Sequence, residues 1–359
     1  MTTEHEDVRE LLGARALGAL LPGEERRIEA HLADCAACSA ESRRLGATVR
    51  HLAGPPPAPR AASDGDPSWP APDGTGHEAP DAPHVLSRAF RTRAPALRTA
   101  PHAAPYAAAV AGLQALLAEL ADGSTGADWA TPVVHDWDVH DTVAHLIAAD
   151  EPLALRLGLP ARVPAAPVPE GTPWRAAWAA RTAEVIAHER PRTPARTVAA
   201  WRNQATGLLA APAAHDQELA ARATVLMGAR LPVADHFLAR AFETWVHADD
   251  IGRALDRPVP PPPVPHLWSL VRLAVRILGI ALGPRTPPVA LTVEGEGGET
   301  KWILGDTTAP VNAQLTLDPI DFCLLIAGRR TPTNIPHTTT GNTPQAHQIL
   351  TRAASLSWL

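Results

Sequence analysis

Lysine is almost missing from this chain of 359 residues: Lys301 stands alone, and the other basic side chains are arginines. There is one tyrosine, Tyr106, and only 3 cysteines, and aromatic residues make up just 4% of the total, most of them tryptophan. Three cysteines cannot staple a disulfide scaffold, and two of them form a close pair, so a reducing, cytoplasmic setting is expected. An excess of positive charge is also lacking. The formal net charge is −6, which removes any global electrostatic case for binding nucleic acid. The first ten residues, MTTEHEDVRE, are acidic and hold no apolar stretch, so no signal peptide is expected. The most apolar run, Leu267–Leu282, carries Arg272 and Arg276 and reads as too short to span a bilayer. These absences point to a protein with no membrane and no direct nucleic-acid partner.

What is present is a large apolar fraction, 45%, and 38 unevenly placed prolines. Residues 1–53 read as a helical head: Leu11, Leu12, Ala16 and Ala19 recur at helical spacing, and Pro22-Gly23 then breaks and restarts the chain. Residues 54–101 turn to Pro, Ala, Asp and Gly, the composition of a disordered tether, with one short amphipathic stretch at 85–93. From 102 to 257 four long helical patterns follow, over 107–121, 139–157, 174–209 (broken at Pro191 and Pro194) and 233–255, as in an antiparallel four-helix bundle. Residues 258–359 begin with a helix at Leu267–Leu282. Strand patterns then appear at 289–293, 301–304 and 313–317, and helices start near Pro319 and Pro344. The expected class is mainly α, with a smaller C-terminal α+β domain.

Two constellations carry chemistry. In the head, His31-x-x-x-Cys35-x-x-Cys38 places an imidazole and a thiolate one helical turn apart, with a second thiolate close by. Thiolates with imidazoles favour tetrahedral Zn²⁺, and His5 on the preceding helical segment is the candidate fourth ligand. The competing readings are a redox Cys-x-x-Cys pair or two core cysteines. A head of this size has little core of its own, and that argues for a metal staple. These residues resemble the zinc-binding anti-sigma domains of actinobacteria. The resemblance implies a sigma factor as partner, with residues 85–93 as the detached gripping helix. In redox-sensing members the upstream ligand is a cysteine, whereas His5 stands here.

In the bundle, Glu243-x-x-x-His247 projects a carboxylate and an imidazole from one helix face, and His145 sits mid-helix among apolar residues. Two histidines and one glutamate could hold a divalent ion and leave a coordination position free. Taken singly, each has a plainer reading as a surface pair or a core histidine. The stretches Trp137–Leu146, Glu243–Ile251 and Asp321–Arg330 together resemble the mycothiol-dependent maleylpyruvate isomerase family. That resemblance implies a DinB-like bundle, a sterol-carrier-like C-terminal domain, a divalent ion (usually zinc) on His145, Glu243 and His247, and mycothiol as the thiol cofactor. It also implies a cis–trans isomerase or S-transferase acting on an electrophilic substrate. The family usually has Pro-Gly-Trp before the His-bearing helix; His135-Asp136-Trp137 stands here, which alters the lip of the pocket and makes His135 and His140 rival ligands. Arg329 or Arg330 is the expected cation for a substrate carboxylate, against the reading of an ordinary pair at a helix C-terminus. Cys323, between Phe322 and Leu324, reads as core. The expected function is a metal- and mycothiol-dependent isomerase or thiol transferase with a zinc-binding regulatory head. The alternative is an anti-sigma factor whose body senses a thiol or ligand without turnover.

Overall fold

The fold was obtained as a computed structural model, which describes residues 2–16, 20, 22–52, 98–123, 128–165, 169 and 171–356. The tether and the short helix expected at 85–93 lie outside these residues.

The head is three helices, α1 (Thr2–Ala16), α2 (Pro22–Asp34) and α3 (Ala36–Leu52). Glu24 and Glu25 occupy the first turn of α2, where they suit the positive end of the helix dipole. Among the described residues, the head's fully buried core is only Val8, Leu12, Ile28 and Cys38, with Leu11, Leu20, Leu32 and Leu45 packed around it. Such a core gives little stability by itself. The head packs in one unit with residues from Arg98 onward.

The body opens with α4 (Ala104–Gly123), α5 (Val139–Arg156), α6 (Trp174–Glu189), α7 (Pro194–Ala210) and α8 (Val233–Ala254). Asp138 starts α5 by accepting a hydrogen bond from the Asp141 N–H at 2.8 Å. Helix α4 packs on α8, α8 on α5, α5 on α7 and α7 on α4, closing a four-helix ring, while α6 lies against α5. The long third helical pattern is therefore two helices, of which only the second completes the bundle. Two hairpins unforeseen in the sequence frame the ring: β1 (Pro132–Val134) with β2 (Trp137–Asp138), ahead of α5, and β3 (Ala223–Leu226) with β4 (Ala229–Pro232), running into α8. Both are too short to show a period-2 pattern.

The remainder is α9 (Val264–Leu282), β5 (Val289–Gly295), β6 (Gly298–Leu304), β7 (Ala313–Leu317), α10 (Pro319–Ile326), β8 (Thr338–Gly341) and α11 (Thr343–Ala354). The sheet order is β6-β5-β7-β8, with β5 and β7 parallel and the outer pairs antiparallel. Strand β8, Thr-Thr-Thr-Gly, has no apolar alternation and was not expected. Helix α9 starts at Val264, three residues earlier than its apolar run suggested, so it and Ala104–Ala121 are long and apolar enough to cross a membrane. Leu113, Leu117 and Leu120 of the one and Leu267, Leu270, Val271 and Leu278 of the other are nonetheless buried in the protein core. The head's α3 packs on α9 and β6, and Arg230 of β4 donates to Glu24 of α2 at 3.1 Å.

Candidate metal centres

Helix α8 presents Arg240, Glu243, His247 and Asp250 at spacings of 3, 4 and 3, which keeps all four side chains on one face. Opposite them, α5 presents His145. His145, Glu243 and His247 are 3%, 1% and 1% exposed, and their potential ligand atoms all lie within 4.8 Å of one another. His145 Nε2 is 3.0 Å from Glu243 Oε1, and the two imidazole centroids are 4.8 Å apart. These three residues, 98 or more positions apart across the two helices, are brought together as the bundle closes.

The surroundings fix each side chain. Trp137, on β2, stacks on the His145 ring at 4.6 Å with a 29° tilt, and Trp178 meets the same ring edge-on at 5.9 Å. His247 Nδ1 is 3.3 Å from Asp250 Oδ2. Asp250 in turn accepts a bond from Arg329 Nη2 at 2.7 Å and one from Arg329 Nε at 3.1 Å. Arg240 Nη1 is 2.5 Å from Glu243 Oε2. Burial opposes ionisation of Glu243, but the Arg240 guanidinium and the His145 contact outweigh it and bring the carboxyl down to about 2. Burial lowers His247 to about 4 despite Asp250. At neutral pH the face therefore offers a carboxylate and a neutral imidazole, the forms that bind a metal. Both ring nitrogens of His247 are buried and have no hydrogen-bond partner. A buried orphan nitrogen is costly, and a divalent cation held by His247 with His145 and Glu243 would relieve part of that cost. The residues fit such an ion.

Neither rival histidine joins the group. His140 Nε2 lies 2.8 Å from Thr197 Oγ1. His135 is exposed, with φ 55°, at the turn before Trp137. Arg329, expected to meet a substrate carboxylate, is committed to Asp250 and to the Ala327 carbonyl (2.7 Å). Arg330 is 3.2 Å from Asp321, and its side chain is 38% exposed. Cys323 is fully buried, and burial raises its thiol far above the usual range. Sequence reading missed Arg240, Asp250 and Trp137. The 3-4-3 spacing on α8 carried the signal for the first two.

The head repeats the logic with softer ligands. His5, His31, Cys35 and Cys38 also have ligand atoms within 4.8 Å of one another. His5 Nδ1 is 3.9 Å from Cys35 Sγ and 3.7 Å from Cys38 Sγ. His31 Nε2 is buried without a partner, so this set too fits an ion. The Cys38 backbone N–H lowers the Cys35 thiol, the direction that favours a thiolate.

The structure thus holds two candidate metal centres among the described residues, a two-His one-Glu set inside the helical bundle and a two-His two-Cys set in the helical head. Residues 106–252 match the family profile described as “Mycothiol maleylpyruvate isomerase N-terminal domain”, and residues 6–39 match “Putative zinc-finger”. The two matches fall in the order the motifs suggested. Two solved structures are similar: the mycothiol-dependent maleylpyruvate isomerase, at TM-score 0.45, and a single-residue mutant of it, at 0.44. Each is 15% identical, and each match covers 67% of this chain and 93% of that one. No curated protein matches the chain.

Proposed function

We propose that the body is a divalent-metal- and mycothiol-dependent enzyme of the isomerase or thiol-transferase type, and that the head is a zinc-binding regulatory domain. The observation that carries this reading is the convergence of His145, Glu243 and His247, from two helices, on one buried point. A cation on these residues supplies charge that lowers the pKa of a thiol brought beside it, so that a thiolate forms near neutral pH.

The chain's own residues do the rest. Asp250 places its carboxylate 3.3 Å from His247 Nδ1, on the side of the ring away from Nε2, and Arg329 holds Asp250 in place. Trp137 and Trp178 wall the His145 ring and keep water from it. Arg330, the more exposed of the two neighbouring arginines, is the residue we assign to a substrate carboxylate. Mycothiol, bound beside such an ion, would supply the thiolate for reversible addition to an activated C=C bond, the chemistry of cis–trans isomerisation with no net redox change, or of S-conjugation where the electrophile cannot eliminate the thiolate again.

Packing of α3 on α9 and β6 favours the regulatory reading of the head. The same contact fits a body that senses a thiol without turnover. Turnover of an activated alkene, measured with and without mycothiol, separates the two. Turnover only with the thiol, lost in His247→Ala, supports the enzyme. Thiol binding with no turnover of any activated alkene supports the sensor.

A further inference from the structure

Arg240 is a buried cation three residues before Glu243, and its position relative to the metal-ligand set is unusual. It is 6% exposed. Its Nη1 reaches two places at once: Glu243 Oε2 at 2.5 Å and the Ala149 carbonyl of α5 at 2.6 Å. Nη1 thus hydrogen-bonds to one wall of the bundle and sits in ion-pair contact with the other, which holds the guanidinium beside Glu243. Glu243 is divided in consequence. Oε1 faces His145 Nε2 at 3.0 Å, on the side of the ligand cluster, while Oε2 makes no hydrogen bond and lies in ion-pair contact with Arg240. Close by, Asp150 accepts a 2.6 Å hydrogen bond from Tyr106.

Resting on the metal reading above, we infer that Arg240 is a positioning residue that reserves one carboxylate oxygen of Glu243, so that the glutamate offers a cation a single oxygen and leaves a coordination position for an incoming thiolate. Carboxylates bind metals through one oxygen or two, and a buried glutamate facing a dication is drawn to use both. The guanidinium charge in ion-pair contact with Oε2, though not hydrogen-bonded to it, competes electrostatically with that second contact. Arg240 works through Glu243 and is not itself a metal ligand. Its removal is expected to change what the ion can accept, and to leave intact whether the ion is held.

The full-length protein loaded with Co²⁺ tests this. β-Mercaptoethanol is titrated in, and the thiolate-to-cobalt absorption that it adds is read after subtracting the same titration of His145→Ala, which removes the head's contribution. The thiol loses its proton to solvent as it binds. Wild type shows the added band. Arg240→Met is expected to keep its bundle cobalt but bind the thiol at least tenfold more weakly, and Arg240→Lys, which keeps a cation at this place, is expected to stay within about threefold of wild type. Arg240→Gln replaces Arg240→Met, with the same expectation, should the latter fail to fold. Unchanged thiol binding in the neutral variants overturns the inference, and so does loss of the bundle cobalt from them. A wild type that takes up no cobalt at the bundle overturns the metal reading itself, which is a different result.

Discussion

Asp150 is a buried carboxylate with a cost that can be measured. It lies 1% exposed on α5, and burial raises its pKa from 3.8 to about 7, against the opposing pull of Arg240 and of the Tyr106 hydrogen bond. The folded state therefore holds a proton between about pH 4 and pH 7 that the unfolded chain releases. Because the folded pKa is raised, stability is greatest below the unfolded value, falls as pH rises through this window and levels off above about pH 7. At 1.36 kcal/mol for each pH unit, a gap of roughly three units is worth about 4 kcal/mol. Asp150→Asn still accepts from the Tyr106 hydroxyl but cannot ionise, so this part of the pH dependence should vanish. Its new amide N–H needs a partner, a penalty of about 1–3 kcal/mol that is the same at every pH. Urea unfolding of both proteins at pH 5 and pH 8 gives the comparison. The variant is expected to gain, relative to wild type, on the order of 2–4 kcal/mol between the two pH values. Parallel profiles would refute the reasoning, since they would mean that Asp150 is charged in the folded protein at both.

Three further outcomes follow from the geometry. Arg329→Ala frees Asp250 and loosens His247, and chelator competition should show the bundle ion held about 10–100-fold more weakly. Gly228 turns the β3–β4 hairpin at φ +72°, and an added Cβ would fall 2.5 Å from the Trp174 indole nitrogen. Gly228→Ala should therefore lower stability by about 1–3 kcal/mol in denaturant titration. Cys35→Ser removes a candidate soft ligand from a head that has four fully buried core residues among those described. Limited proteolysis should then cut within 22–52 while the bundle from 104 to 254 remains protected.

The body helices were legible because their apolar faces are long and periodic. Leu113, Leu117 and Leu120 of α4, and the run from Val233 to Ala254, bury the residues that their spacing selects. The candidate ligand sets were legible for a similar reason, since one helical turn fixes Glu243 against His247 and His31 against Cys35. The hairpins at 132–138 and 223–232 were not, because strands of two to four residues carry no period. The role of Arg329 was hidden for another reason. Its partner, Asp250, lies 79 positions earlier, and no local pattern announces a bond across that separation. An arginine beside a substrate and an arginine behind a histidine look alike in sequence.

The most direct test counts metal ions per chain, by plasma emission on the full-length protein, in wild type and in His247→Ala. Two ions in wild type and one in the variant are predicted, because the bundle and the head would each hold one. The same ion count in both proteins would contradict the account, since His145, Glu243 and His247 would then meet without holding a cation.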